Sequence, residues 1–174
     1  YAYEADGIIV LNRVKPHSGF RGKYESGLMK MIAVGLGKQY GAEVLHSMGI
    51  NHLANNVYLF GKAILEHSNV LLGIAVLENA YEETAEIHVV DAQSIMEKEP
   101  EYLKKAFTYM PRILVESCDV LIVEKLGKNY SGGGMDPNIT GRFAAPMFKG
   151  GIRVQRIGVL DLSDETNGNA NGIG

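Results

Sequence analysis

The sequence predicts an α/β fold: a mixed, largely parallel sheet with flanking helices, as an incomplete part of a two-domain protein. Three observations predict it. Short apolar, β-branched runs recur at 7–11, 70–77, 119–124 and 157–161, and most are separated by stretches of helical period. Such alternation is the pattern of an α/β sheet with substantial parallel character. Between 85 and 90 the pattern changes to one-by-one alternation, as Glu86, Ile87, His88 and Val89. That half-exposed strand can turn back on 69–77 as a hairpin, which makes the sheet mixed. Pro111 is the expected boundary between two segments, 1–110 and 111–174.

Composition narrows the class. The chain has 174 residues, 46% of them hydrophobic and 21% charged, enough for one sizeable soluble domain or a domain and a fragment. A net charge of −3 offers no global basic field for nucleic acid. Cys118 is the single cysteine, so no internal disulfide forms, as suits a reducing cytoplasm. No apolar run approaches the roughly 20 residues that span a bilayer. The chain opens at Tyr1 and runs out in Asn- and Gly-rich residues 167–174, which reads as a piece of a longer protein.

The elements follow in order. Residues 5–14 hold the run Gly7-Ile-Ile-Val-Leu11, expected as a buried strand that Pro16 stops. His17 therefore falls just past the carboxyl end of a strand, the edge where open α/β sheets bind ligands. Gly19, Gly22 and Gly27 suggest a flexible, close-approach loop. Residues 28–36 are apolar on nearly all sides, the mark of a buried helix, and Lys30 is its one charge. Gly35 and Gly37 are expected to end it, with Lys38 near the negative end of its dipole. Residues 41–48 read as a short helix carrying His46, and 51–67 as a longer one through Leu53, Val57, Phe60 and Ile64. Residues 69–77 read as a buried strand and 92–110 as a helix, with Pro100 a break or a first turn. A strand at 119–124, a long loop at 125–138 and a last strand at 153–162 complete the chain.

Several residues are suited to chemistry. Lys30 has no polar face to escape along, so it is either a snorkelling lysine or a desolvated amine with a lowered pKa, able to act as a nucleophile or to anchor a cofactor. His17 and His46 bracket it; either can be structural, a base or a metal ligand. Gly-Leu-Gly-Lys at 35–38 lacks the spacing of a Walker motif and reads as a helix stop. The loop Ser131-Gly132-Gly133-Gly134 exposes backbone N–H groups that could bind an anion, and Arg142 could clamp a carboxylate. Glu78, Glu82, Glu83 and Glu86 are expected as a solvated face, and Asp161, Asp164 and Glu165 as turn residues.

The stretch Pro16-His17, Gly-Leu-Met-Lys30, Gly-Leu-Gly and His46 resembles the nickel-pincer-nucleotide lactate racemase family. The 131–142 loop and the run 159–172 resemble its branch of lactate-racemase-domain proteins. The resemblance implies a cytoplasmic racemase or epimerase of a small 2-hydroxy acid, acting by hydride and proton transfer. It implies a nickel-pincer nucleotide covalent on Lys30, nickel held by His46, and His17 as a base. Gly132, Gly133 and Arg142 are the weaker candidates for cofactor contact. The 1–110 segment would anchor the cofactor, cofactor-biosynthesis enzymes would be partners, and nucleic acid and membrane would not. The loop between His17 and Lys30 is longer than the racemase pattern and carries Arg21, Lys23 and Glu25, which implies a reshaped pocket. The second base would come from an earlier segment, so the isolated fragment is expected to be inactive. Two other readings stand beside it: a histidine-metal enzyme without the pincer, and a non-catalytic module that binds a phosphoryl ligand.

Overall fold

The computed structural model describes residues 1–171. The chain divides into two compact units, Tyr1–Met110 and Pro111–Gly174, each with its own sheet. The fold class is mixed α/β, with mostly parallel strands and flanking helices. Among the described residues no helix is long and apolar enough to cross a membrane.

In the first unit, β1 (Ile8–Arg13), β2 (Val70–Glu78) and β3 (Thr84–Asp91) form a sheet in the order β1-β2-β3. β1 and β2 are parallel, with Val10 opposite Gly73 and Asn12 opposite Ala75. β2 and β3 are antiparallel around a tight turn in which the Asn79 side chain accepts from the Tyr81 and Glu83 N–H groups. Parallel strands need a long crossover. Here it carries α1 (Leu28–Lys30), a π-helical continuation (Met31–Leu36), α2 (Lys38–Ser47) and α3 (Leu53–His67). After β3, α4 (Ile95–Tyr109) packs against β2 and α1.

The core lies between one sheet face and these helices. Val10, Ala75, Leu77 and Val90 meet a layer containing Leu28, Met29, Ile32, Val57, Ile95 and Leu103, all buried. Gly73 is required at the centre: a Cβ there would stand 2.6 Å from Leu28 Cδ1. The other face is open, with Ile9, Leu11, Ile87 and Val89 between 59% and 66% exposed. The apolar runs 7–11 and 69–77 are thus buried on one face rather than on both. Their composition is that of a two-sided layer, yet only one helical layer covers the sheet within this unit.

Two local expectations change, and one is met and extended. The first helix ends as its glycines predict: the π-helical turn closes at Leu36 with Gly37 as its C-cap, and Lys38 takes a positive φ of 54°. α2 then starts at Lys38, so the lysine stands just past the negative end of one helix and at the positive end of the next. Pro100 lies inside α4 without breaking it. A proline cannot donate to the carbonyl four residues back. That carbonyl, on Met96, instead accepts the buried Tyr24 hydroxyl at 2.8 Å. Glu86 is not merely solvated: it accepts from Lys105 and His88, each at 2.7 Å, and from the Tyr109 hydroxyl, joining β3 to α4.

In the second unit, β4 (Ser117–Leu126) and β5 (Arg153–Leu162) pair in parallel, with Ile122 opposite Gly158. Their connection holds a four-residue helix, α5 (Pro137–Thr140). It is capped by Asp136, whose side chain accepts the Asn138 N–H at 2.8 Å, and it ends at Gly141 with φ 76°. Cys118 is a free thiol on β4. The run 159–172 is described as far as Asn171, so Gly172 lies outside the described residues.

Candidate active site

The site begins where β1 ends. The Lys15 and Ser26 backbones exchange two hydrogen bonds, 2.9 and 3.2 Å, and close residues 15–26 into a loop. Inside it sits Glu25, only 2% exposed. Its carboxylate accepts the His17 N–H at 2.7 Å, the Gly22 N–H at 3.2 Å and Arg21 Nη1 at 3.5 Å. Burial raises its pKa, and the two N–H groups and Arg21 oppose that rise. This internal anion gives the loop its shape. Close approach is required at Gly22, where a Cβ would stand 2.4 Å from Ala54 Cβ. The Arg21 guanidinium donates to the His17 carbonyl at 2.7 Å, and the His17 ring leans on buried Phe20 with centroids 4.3 Å apart.

A second carboxylate fixes the lysine helix. Glu99, 1% exposed on α4, reaches the start of α1. There it accepts the Met29 N–H at 2.8 Å and also bonds the Leu28 N–H. These are two of the donors that a helix start leaves without an internal partner. Gly27 leaves room for it: a Cβ would stand 2.3 Å from Glu99 Oε1. Asn12, on β1, donates to the Gly27 carbonyl at 3.0 Å and ties the same helix start to the sheet. Glu99 Oε1 is buried without a partner, and burial pushes the carboxyl up to about 7.

Between these anchors, Lys30 Nζ lies 2.6 Å from His17 Nε2. The protonation states follow from the second ring nitrogen. The Gly19 N–H donates to His17 Nδ1 at 2.9 Å, so Nδ1 carries no proton. The neutral ring then holds its proton on Nε2 and donates it to Nζ. An ammonium has no lone pair to accept a hydrogen bond, so this arrangement requires Lys30 as the neutral amine. The electrostatics agree. Burial first, then Lys15, lowers the Lys30 pKa. His17 is pushed down to about 4, by burial first and then by Lys30, Arg21, His46 and Lys15; the Lys30 contribution acts only when that amine is protonated, so the pair does not hold both charges at once.

His46 is exposed on α2, within electrostatic range of His17. Its Nδ1 lies 2.6 Å from the Ala42 carbonyl oxygen. A carbonyl only accepts, so Nδ1 holds the proton and the Nε2 lone pair faces outward from that bond. This is the orientation a metal-ligating imidazole needs. Among the described residues no group of three or more His, Cys, Asp or Glu side chains gathers as a metal site.

Lys30, His17 and His46 thus share the first unit. Gly132, Gly133 and Arg142 belong to the second. Gly132 is exposed with open space at its Cβ position, and the turn at 131–134 is closed by the Gly134 N–H on the Ser131 carbonyl at 2.7 Å. Arg142 Nη2 donates to the Gln155 carbonyl at 2.6 Å and so braces β5.

The sequence marks Glu25 only as part of a lengthened loop that reshapes the pocket, and it gives Glu99 no role. A signal for Glu99 was present: position 99 falls on the stripe of Ile95, Leu103 and Ala106, the buried face of α4. Glu25 had no such signal, because its partners are backbone groups of an irregular loop. Comparison of the chain with protein-family models, with curated proteins and with solved structures gave no match.

Proposed function

We propose that the chain carries the cofactor-anchoring site of a 2-hydroxyacid racemase or epimerase, with a nickel-pincer nucleotide tethered to Lys30. The observation that supports this reading best is the Lys30–His17 pair, which places a neutral amine against an imidazole at the carboxyl edge of β1. The residues fit the group. Nζ as a neutral amine has the lone pair that acylation needs once the His17 contact is released, and His46 has a lone pair on Nε2 for nickel. When bound, the group supplies a nickel-activated acceptor for the substrate's α-hydride.

The chain's own residues then have separate roles. An acylated Nζ no longer accepts from Nε2, so as a base His17 would take the Nδ1–H tautomer, giving up the Gly19 N–H bond and the Nζ contact and leaving its Nε2 lone pair for the substrate. That atom would take the substrate hydroxyl proton and return it. The low pKa of His17 keeps it unprotonated at neutral pH, ready to accept. Glu25 and Glu99 touch neither partner's reacting atoms and hold them in place. A plain histidine-metal site has less support, since His17 and His46 supply two ligands. A phosphoryl-binding module would rest on the 131–134 turn alone.

The test is mass spectrometry of the Lys30 peptide with nickel analysis, on chain co-expressed with cofactor-making enzymes. The expected result is a covalent adduct on Lys30, with nickel lost in His46→Ala. An unmodified Lys30 and no nickel would sink the assignment.

A further inference from the structure

We propose that, without any cofactor, Lys30 forms an imine with small carbonyl compounds that carry an anionic group, 2-oxo acids being the simplest class. The geometry points to the reaction. Nζ is a hydrogen-bond acceptor, as the Gly19–His17–Lys30 series requires, and a free lone pair is what carbonyl attack needs. Lys30 is half-buried, so a small molecule can reach it.

The charge pattern selects the anionic class. Around the neutral Lys30, residues 15–30 hold three cationic side chains, Lys15, Arg21 and Lys23, against one carboxylate, Glu25. Glu25 is turned inward onto the His17 and Gly22 N–H groups and Arg21. Lys15 is exposed and acts electrostatically on both His17 and Lys30. Its charge has two effects. It adds to burial in lowering the Lys30 pKa, and it attracts a carboxylate beside the amine.

The chemistry balances with the groups present. The Nζ lone pair attacks the carbonyl carbon, a C–N bond forms, and the carbonyl π electrons pass to oxygen. His17 Nε2–H gives its proton to that oxygen and takes one from the nitrogen. The nitrogen lone pair then expels the hydroxyl as water, with the proton from His17, and His17 Nε2 takes back the proton left on the iminium nitrogen. Amine and carbonyl become imine and water, and no oxidant is needed. This reaction shares with the pincer reading only the neutral amine.

The experiment is borohydride trapping with glyoxylate at neutral pH on the 174-residue chain, read by peptide mass spectrometry. Lys30 is expected to gain a carboxymethyl group faster than exposed Lys149, in the direction set by its lowered amine pKa and its imidazole neighbour. Lys15→Ala should reduce the preference, since burial still acts, and Lys15→Arg should keep it. Acetaldehyde, which has no charge, should show a smaller preference. A wild-type Lys30 trapped no faster than Lys149 overturns the proposal. An unchanged preference in Lys15→Ala overturns the part given to Lys15. Because no nickel or nucleotide enters the assay, imine trapping can succeed where the pincer assignment fails, and the reverse.

Discussion

The 15–30 loop and the 131–142 loop both follow a strand, both are rich in glycine, and both carry arginine. They are built in opposite ways. The first is organised from inside by buried carboxylates, Glu25 within the loop and Glu99 reaching in from α4. The second is organised by local devices: a turn closed at Gly134, an Asp136 cap and a left-handed Gly141. Long-range anchors hold a lysine and an imidazole at 2.6 Å, whereas local turns hold only themselves. A buried, unevenly paired carboxyl is costly to fold around. Its presence beneath Lys30 marks the first loop as the place where geometry is maintained against that cost.

The largest break in this contrast should come from Glu99→Ala. It removes the acceptor of two helix-start N–H groups and leaves a cavity, a loss of about 2–4 kcal/mol by urea unfolding. Loss of the Lys30 preference in amine labelling should accompany it. A change under about 0.5 kcal/mol would mean that α1 does not depend on this cap.

The pH dependence sharpens the same point. Burial raises Glu99 from its ordinary 4.5 to about 7, so the folded chain keeps a proton that the unfolded chain has released. Its contribution is full below pH 4.5 and declines as pH rises to about 7, by roughly 3 kcal/mol at most. His17 runs the other way. Its pKa is lowered from 6.5 to about 4, so its contribution is full above 6.5 and is lost as pH falls toward 4. In the wild type the two opposite contributions offset each other over most of this range, so Glu99→Gln should make stability rise more steeply from pH 4 to 7 than it does in the wild type. Equal slopes in the two proteins would contradict the placement of Glu99.

The smallest effects separate the glycines. Gly27→Ala drives a Cβ to 2.3 Å from Glu99 Oε1 and should cost about 1–3 kcal/mol. Gly132→Ala meets open space and should stay within about 0.5 kcal/mol. Equal costs at the two positions would erase the distinction between the loops.

The sequence by itself determined the alternating elements, the 69–90 hairpin and the isolation of Lys30 in an apolar run. These are local properties: period, β-branching and a lone charge are visible residue by residue. It also put His17 past a strand end, because Pro16 stops the strand there. Tertiary structure alone decided the rest. Glu99 lies far along the chain from Lys30, and only the packing of α4 against α1 makes it a cap. Pro100 survives in its helix because Tyr24 takes the orphaned Met96 carbonyl. The neutral state of Lys30 depends on which His17 nitrogen faces the Gly19 N–H, a matter of three-dimensional hydrogen-bond direction that no spacing in the sequence encodes.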